Sequence, residues 1–178
     1  LVAFLLMYSP IGAEEFGELG ARFQAYELWE AGYLLHLAGE YQKATDAFRE
    51  SIRHHPTAEA HTFLGWSLSY MGRLGEAIEE CKKAIHLDPD FGNPYNDIGV
   101  YLMEFGRFEE AIPWFKKAVV SQRYCCYHYA HTNLGEILVR QGRLLEARRS
   151  FRRALEYAPG YLPALQALEN LGGQGETL

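Results

Sequence analysis

Eight glycines fall in two registers along the chain. Gly32, Gly65, Gly99 and Gly135 are separated by 33, 34 and 36 residues, and Gly39, Gly72, Gly106 and Gly142 repeat the same three spacings. Three further columns keep this register: Ala44, Ala77, Ala111 and Ala147; the large apolar Tyr41, Leu74, Phe108 and Leu144; and Phe48, Cys81, Phe115 and Phe151. A small residue follows each time, at Ser51, Ala84, Ala118 and Ala154. Pro56, Pro89 and Pro159 close three of the four units, and Arg123 stands where the remaining proline would fall. With 17 glycines in 178 residues, such alignment is not chance. A period of this length means an array of identical supersecondary units, none able to bury its apolar face alone.

Each unit reads as two helices. Ala60, Leu64 and Leu68 share a face at helical spacing, and Gly72 stops that helix because only glycine enters the left-handed region without a Cβ penalty. Ala77, Cys81, Ala84 and Ile85 form the inner face of the next helix, which Asp88-Pro89 terminates. The glycine and alanine columns let two helix backbones approach closely. The fold class expected is therefore all-α. Pro113 lies near the start of a second helix and predicts a late start or mild distortion there. Pro163 begins a last helix over 162–171, with Leu165, Leu168 and Leu171 on one side, which should cap the stack. Residues 172–178 are expected to be a flexible tail.

These columns resemble the tetratricopeptide repeat family: Gly at unit position eight, Gly at fifteen, Ala at twenty, an aromatic or apolar residue at twenty-four, Ala at twenty-seven and Pro at thirty-two. The resemblance covers 25–161 as four repeats, 25–57, 58–91, 92–127 and 128–161. Two departures stand out. The family's Trp at position four is Leu28, His61, Tyr95 and His131, and the third unit gains two residues within Tyr124-Cys125-Cys126-Tyr127. The resemblance implies a right-handed superhelical solenoid and a protein-interaction module, with the first helix of each pair lining a concave groove.

By the same resemblance, the inward positions include Tyr26, Trp29, Glu30, Tyr33 and His36 in the first unit, and Glu59, Thr62, Phe63, Trp66 and Tyr70 in the second. They include Asn93, Asn96, Asp97 and Glu104 in the third, and Tyr129, Thr132, Asn133, Glu136 and Arg140 in the fourth. The partner-binding set expected is Tyr26, Trp29, Tyr33, Phe63, Trp66, Tyr70, Asn93, Asn96, Asp97, Asn133 and Glu136. The aromatics offer large contact area at little entropic cost. The amides can bond a peptide main chain on both donor and acceptor sides, and the acids favour Lys or Arg on the ligand. The family's clamp for a C-terminal carboxylate is not expected, because the matching positions (Trp29, Tyr33, Phe63, Asn93 and Asp97) hold no cation.

Composition narrows the remaining classes. Net charge is −6, which disfavours binding to a phosphate backbone, and the six Arg between Arg140 and Arg153 read as a solvated helix face. The longest apolar run, Leu1–Tyr8, is far below the ~20 residues of a membrane span. No nucleophile elbow, phosphate loop or dinucleotide fingerprint is present, and no enzymatic role or cofactor is expected. Cys125, Cys126, His128 and His131 are the one metal-like grouping, but adjacent cysteines do not easily chelate together and no metal is expected. Three cysteines do not make a disulfide framework, which favours the cytoplasm; an exported protein is the alternative if residues 1–13 derive from a signal peptide. Two functions stay open: a scaffold or adaptor holding a partner's apolar, basic segment, and a self-associating module whose groove is filled by its own 1–24 segment.

Overall fold

The computed structural model describes residues 13–173. Among them are nine helices: α1 (Ala13–Leu37), α2 (Tyr41–His54), α3 (Ala58–Tyr70), α4 (Leu74–Leu87), α5 (Asn93–Glu104), α6 (Phe108–Ala118), α7 (Tyr127–Arg140), α8 (Leu144–Tyr157) and α9 (Leu162–Gly173). The fold is an all-α solenoid of helix–turn–helix repeats closed by a C-terminal helix. The apolar run Leu1–Tyr8 and residues 174–178 lie outside the described residues, whereas Ala13–Gln24 continue as helix directly into the first repeat. The chain divides into two compact units, one ending at Glu80 and the other starting at Cys81, within α4.

The first helix of a pair meets the second through a glycine. A Cβ added to Gly32 would lie 2.9 Å from the Phe48 ring in the first unit. In the second unit, a Cβ on Gly99 would come 2.6 Å from Phe115, and one on Gly135 2.5 Å from Phe151. The three phenylalanines are fully buried, each between small residues that are themselves buried: Ala44 and Ser51, Ala111 and Ala118, and Ala147 and Ala154. The small column after them also carries a bond: Ser51 Oγ donates to the Ala25 carbonyl at 2.7 Å.

The other glycine column makes the turns. Gly72 has φ of +74°, and its N–H and that of Arg73 close back onto Ser69 and Leu68 at 2.9 and 3.0 Å. This satisfies the carbonyls that a helix end leaves open. The next helices then start alike. Arg73, Arg107 and Arg143 each grip the carboxylate three residues on, Glu76, Glu110 and Glu146, through two N–H groups at 2.6–2.7 Å. These pairs are exposed, so each contributes little beyond fixing the turn.

In the second unit, α9 lays Ala164 and Leu171 on the core formed by Ala147, Phe151 and Ala154 of α8. Arg148 ties the end of α9 down by donating to the Leu171 carbonyl at 2.9 Å.

The third repeat departs from expectation at its end, not its start. Phe108 opens α6 in register, and Pro113 sits inside an unbroken helix with its ring exposed. The helix stops at Ala118 after 11 residues, against 14 for α2, α4 and α8. The chain then turns back onto the loop before α5. Arg123 N–H donates to Asp90 O and Gly92 N–H to Arg123 O, both at 3.0 Å, while the Arg123 side chain pairs with Asp88 and covers the Phe91 ring at 5.1 Å. These contacts hold the junction where the proline is missing.

The close contacts predict opposite outcomes for two Gly→Ala changes. Gly99→Ala drives a methyl into Phe115 and should destabilise by about 1–3 kcal/mol. Gly75→Ala, in α4 with open space around it, should be neutral or stabilising by up to about 1 kcal/mol. Urea unfolding midpoints of the two variants check this.

Candidate functional site

In the first unit the rings of α1 and α3 form a continuous stripe. Tyr26 stacks on Trp29 and Trp29 on Tyr33, with centroids 6.1 and 5.8 Å apart. Phe63 stands edge-on to both Trp29 and Tyr33 at 5.3 and 5.4 Å, and Trp66 follows at 5.6 Å. Tyr70 ends the run, edge-on to Trp66 and stacked on Tyr41 of α2 at 4.8 Å. Such offset and edge contacts fix ring positions before any ligand arrives. Tyr26 and Tyr70, at the two ends, are 58% and 56% exposed; the rings between them are half-buried.

Two residues expected to face a ligand do not. His36 is buried beneath the stripe, where its Nδ1 bonds Ser67 Oγ at 2.9 Å and its ring stacks on Trp66 at 4.2 Å. Burial lowers its pKa, so it serves as a neutral packing and hydrogen-bonding group. Thr62 is buried too, its hydroxyl returned to the Ala58 carbonyl at 2.7 Å. Trp66 is thus anchored to the core on one side, and its removal would loosen His36 as well as bare the stripe.

Beside Tyr26 and Trp29 lies a cleft of about 370 Å³ between α1, the end of α2 and the start of α3. Arg22, Ser51, His55, Thr57 and Glu59 complete its walls. The Trp29 indole N–H is shielded from water and has no hydrogen-bond partner among the described residues. A buried donor left open costs free energy that an incoming acceptor restores.

The second unit presents amides and acids instead of rings. Asn133 Nδ2 donates to Asn96 Oδ1 at 3.3 Å, and Asn96 Nδ2 to Asp97 Oδ1 at 3.4 Å, joining α5 to α7. Asn93 is half-buried at the first position of α5, and Glu136 lies exposed on α7. Thr132, expected to be inward, is buried with its hydroxyl on the His128 carbonyl at 2.8 Å. Burial pushes the Asp97 carboxyl up to about 7, against a weaker opposing pull from its Asn96 hydrogen bond, and partial desolvation raises the more exposed Glu136 against an opposing pull from Arg140. These two groups are therefore weaker anions than the sequence implies, which reduces any preference for a cationic ligand on this unit.

The metal-like grouping separates. His128 packs on Tyr129 and Tyr161, while His131 stacks on Tyr157 at 5.8 Å. No cluster of three or more His, Cys, Asp or Glu among the described residues is arranged to hold a metal ion. The Cys125 and Cys126 sulfurs nevertheless converge to 2.9 Å. His61, at the repeat position of His131, instead bonds Glu80 at 2.6 Å in the first unit. Four of the six arginines from Arg140 to Arg153 are engaged: Arg140 over Phe108, Arg143 and Arg153 with acids, and Arg148 with α9.

Comparison with known proteins agrees with this architecture. Tetratricopeptide repeat models match residues 58–91, 95–123 and 128–161. A small glutamine-rich tetratricopeptide repeat-containing protein of Mycosarcoma maydis is 30% identical over 83 residues, 46% of this chain and 24% of that protein. The mitochondrial import receptor subunit TOM70 of Rattus norvegicus is 24% identical over 137 residues, 76% of this chain and 22% of the receptor. The chain thus spans about a quarter or less of the length of these relatives. Among solved structures, Pseudomonas aeruginosa pilF superposes with a TM-score of 0.82 at 21% identity, over 88% of this chain and 71% of that one. YrrB, a TPR protein with an unusual peptide-binding site, gives 0.65 at 20% identity, over 82% and 74%. Among the described residues no helix is long and apolar enough to cross a membrane.

The Asp97 environment sets a pH dependence. The unfolded chain releases this proton near pH 4, whereas the folded chain keeps it until about 7. Stability linked to Asp97 is therefore full below about pH 4 and is lost as pH rises toward 7. Asp97→Asn should match the parent at pH 4 and exceed it by a few kcal/mol, on the order of 4, at pH 8, read from urea midpoints at the two pH values. An equal gain at both would show that Asp97 does not titrate this way.

Proposed function

The chain belongs to the tetratricopeptide repeat family, and from that premise we propose that it is a protein-interaction module whose first unit binds an apolar peptide or helix along the ring stripe of α1 and α3. The observation that carries this reading is the stripe itself: six rings from Tyr26 to Tyr70, mutually braced, with the outer two more than half exposed. Exposed apolar surface of this kind marks binding sites. Prior bracing lowers the entropic cost of ligand capture. Glu30, exposed beside the stripe, favours Lys or Arg flanking the apolar segment. On the second unit, Asn96 and Asn133 offer amides suited to an extended main chain. The reading assigns no catalytic step to any residue and no nucleic-acid contact.

Selection of binders from a random peptide library displayed on phage tests this. The expected peptides are apolar or aromatic with adjacent basic residues. Tyr70→Ala, at the exposed end of the stripe, should weaken them about tenfold or more while lowering the melting temperature only by the few degrees that its ring contacts with Tyr41 and Trp66 account for. Peptides of no shared chemistry, or binding unmoved by Tyr26→Ala and Tyr70→Ala together, would place the interaction elsewhere.

Self-association is a second reading, favoured by exposed apolar side chains of α1 next to the stripe. Leu19, Phe23, Leu34 and Leu37 lie along one side of that helix and are 56–63% exposed. Leu19 and Phe23 are four apart, Leu34 and Leu37 three apart, and the eleven-residue step from Phe23 to Leu34 is about three helical turns, which sets all four on one side. Light scattering across a concentration series should show a dimer that Phe23→Ser and Leu34→Ser together dissociate; a monomer at every concentration removes this reading.

A further inference from the structure

The loop from α6 to α7 carries what the repeat does not explain, the two-residue insertion with its adjacent cysteines. The chain is fixed on both sides of them. Arg123 is bound to the loop before α5, and Tyr124 is buried against Gly92, where an added Cβ would come within 2.3 Å of it. Tyr127 begins α7, edge-on to Tyr124 at 5.1 Å, with its hydroxyl donating to the Ser121 carbonyl at 2.7 Å. Between these anchors Cys125 is exposed and Cys126 half-buried, and their Sγ atoms approach to 2.9 Å. The remaining cysteine, Cys81, is wholly inaccessible.

We propose that Cys125 and Cys126 form a reversible redox modification site that closes to a disulfide between neighbouring residues by exchange with a small-molecule disulfide. Cys125, the accessible thiol, gives its proton to solvent, and its thiolate attacks one sulfur of the incoming disulfide. One small thiolate leaves and is protonated. Cys126 then loses its proton and attacks the Cys125 sulfur of the mixed disulfide, displacing the second small thiolate. Two protein thiols are oxidised to one S–S bond, and the small disulfide is reduced to two thiols. Burial and the contact with Cys125 push the Cys126 thiol up to about 12, which makes Cys125 the entry point. Closure is reversible by geometry, since adjacent Cα atoms lie ~3.8 Å apart across a trans peptide, short of the ~4.4–6.8 Å that ordinary disulfides span.

The consequence reaches the amide side of the second unit. Asp97 raises Cys126 electrostatically, and both thiols and Asp97 act on the buried Tyr124 hydroxyl, which has no hydrogen-bond partner among the described residues. Forming the S–S bond removes the ionisable Cys126 thiol, which interacts with Asp97, and stiffens the residue that precedes α7.

The experiment equilibrates the reduced chain against mixtures of oxidised and reduced glutathione, quenches with acid, alkylates after unfolding and weighs the intact chain and its peptides. The expected product has lost two hydrogens, retains no glutathione, and carries one alkyl group, at Cys81. Cys126→Ser should stop at a glutathione adduct on Cys125, and Cys125→Ser should stay largely unreacted. A stable glutathione adduct on the parent chain, a Cys125-linked dimer, or no reaction at any ratio would overturn the proposal. Should either variant lose its helical circular dichroism, the peptide map of the parent chain decides alone.

Discussion

The contact between a bare glycine on the first helix of a pair and a phenylalanine on the second sets the geometry of three of the four repeats, the second repeat carrying Cys81 in that column. Gly32 with Phe48, Gly99 with Phe115 and Gly135 with Phe151 all place a ring where a methyl group could not fit. The ring fills the crossing, the small residues on either side keep the backbones close, and the packed density of an ordinary protein interior follows with few side chains. Because the crossing is satisfied from one face of each helix, the other face of the first helix is left free. The surface chemistry of that face is then set by sequence alone.

The two units use this freedom differently. In the first, the free face carries rings that brace one another, and the buried His36 and Ser67 support them from below through a hydrogen bond. A site supported in this way holds its shape without a ligand. In the second unit the free face carries Asn96, Asp97 and Asn133, joined in a chain of hydrogen bonds that links neighbouring helices. There the support and the surface are the same side chains, so a ligand that recruits the amides must replace bonds they already make. Apolar recognition in the first unit carries no such penalty.

The packing columns were legible because each is a local rule repeated four times, and repetition separates signal from chance. Helix ends at the turn glycines and the closing helix were read in the same way. The failures share a cause, since each depends on tertiary contact. His36 and Thr62 occupy positions that face a ligand in the repeat pattern, yet neighbouring helices cover them. Asp97 reads as an anion, but its protonation is decided by desolvation, which no spacing encodes. Pro113 suggested a disturbed start to α6, whereas the helix begins in register and stops early where the chain turns toward the loop of the preceding repeat. The Trp29 indole could be placed on the right helix from its spacing, but its unpaired N–H could not be foreseen.

A repeat array constrains nearly every residue through its columns, so chemistry outside the pattern can settle only where the pattern lapses. The third repeat lapses once. Without its closing proline, the chain needs another stop, and Arg123 supplies it by pairing with Asp88, covering Phe91 and bridging the backbone at Asp90 and Gly92. That clamp must bring the loop close to the chain before α5, and the close approach explains why Gly92 cannot carry a side chain against Tyr124. Once Arg123 and Tyr124 are held, the two positions that follow lie outside the repeat columns and carry two thiols, Cys125 exposed and Cys126 half-buried. The same clamp that replaces a structural proline thus creates a stretch of the second unit where two thiols sit together outside the repeat columns.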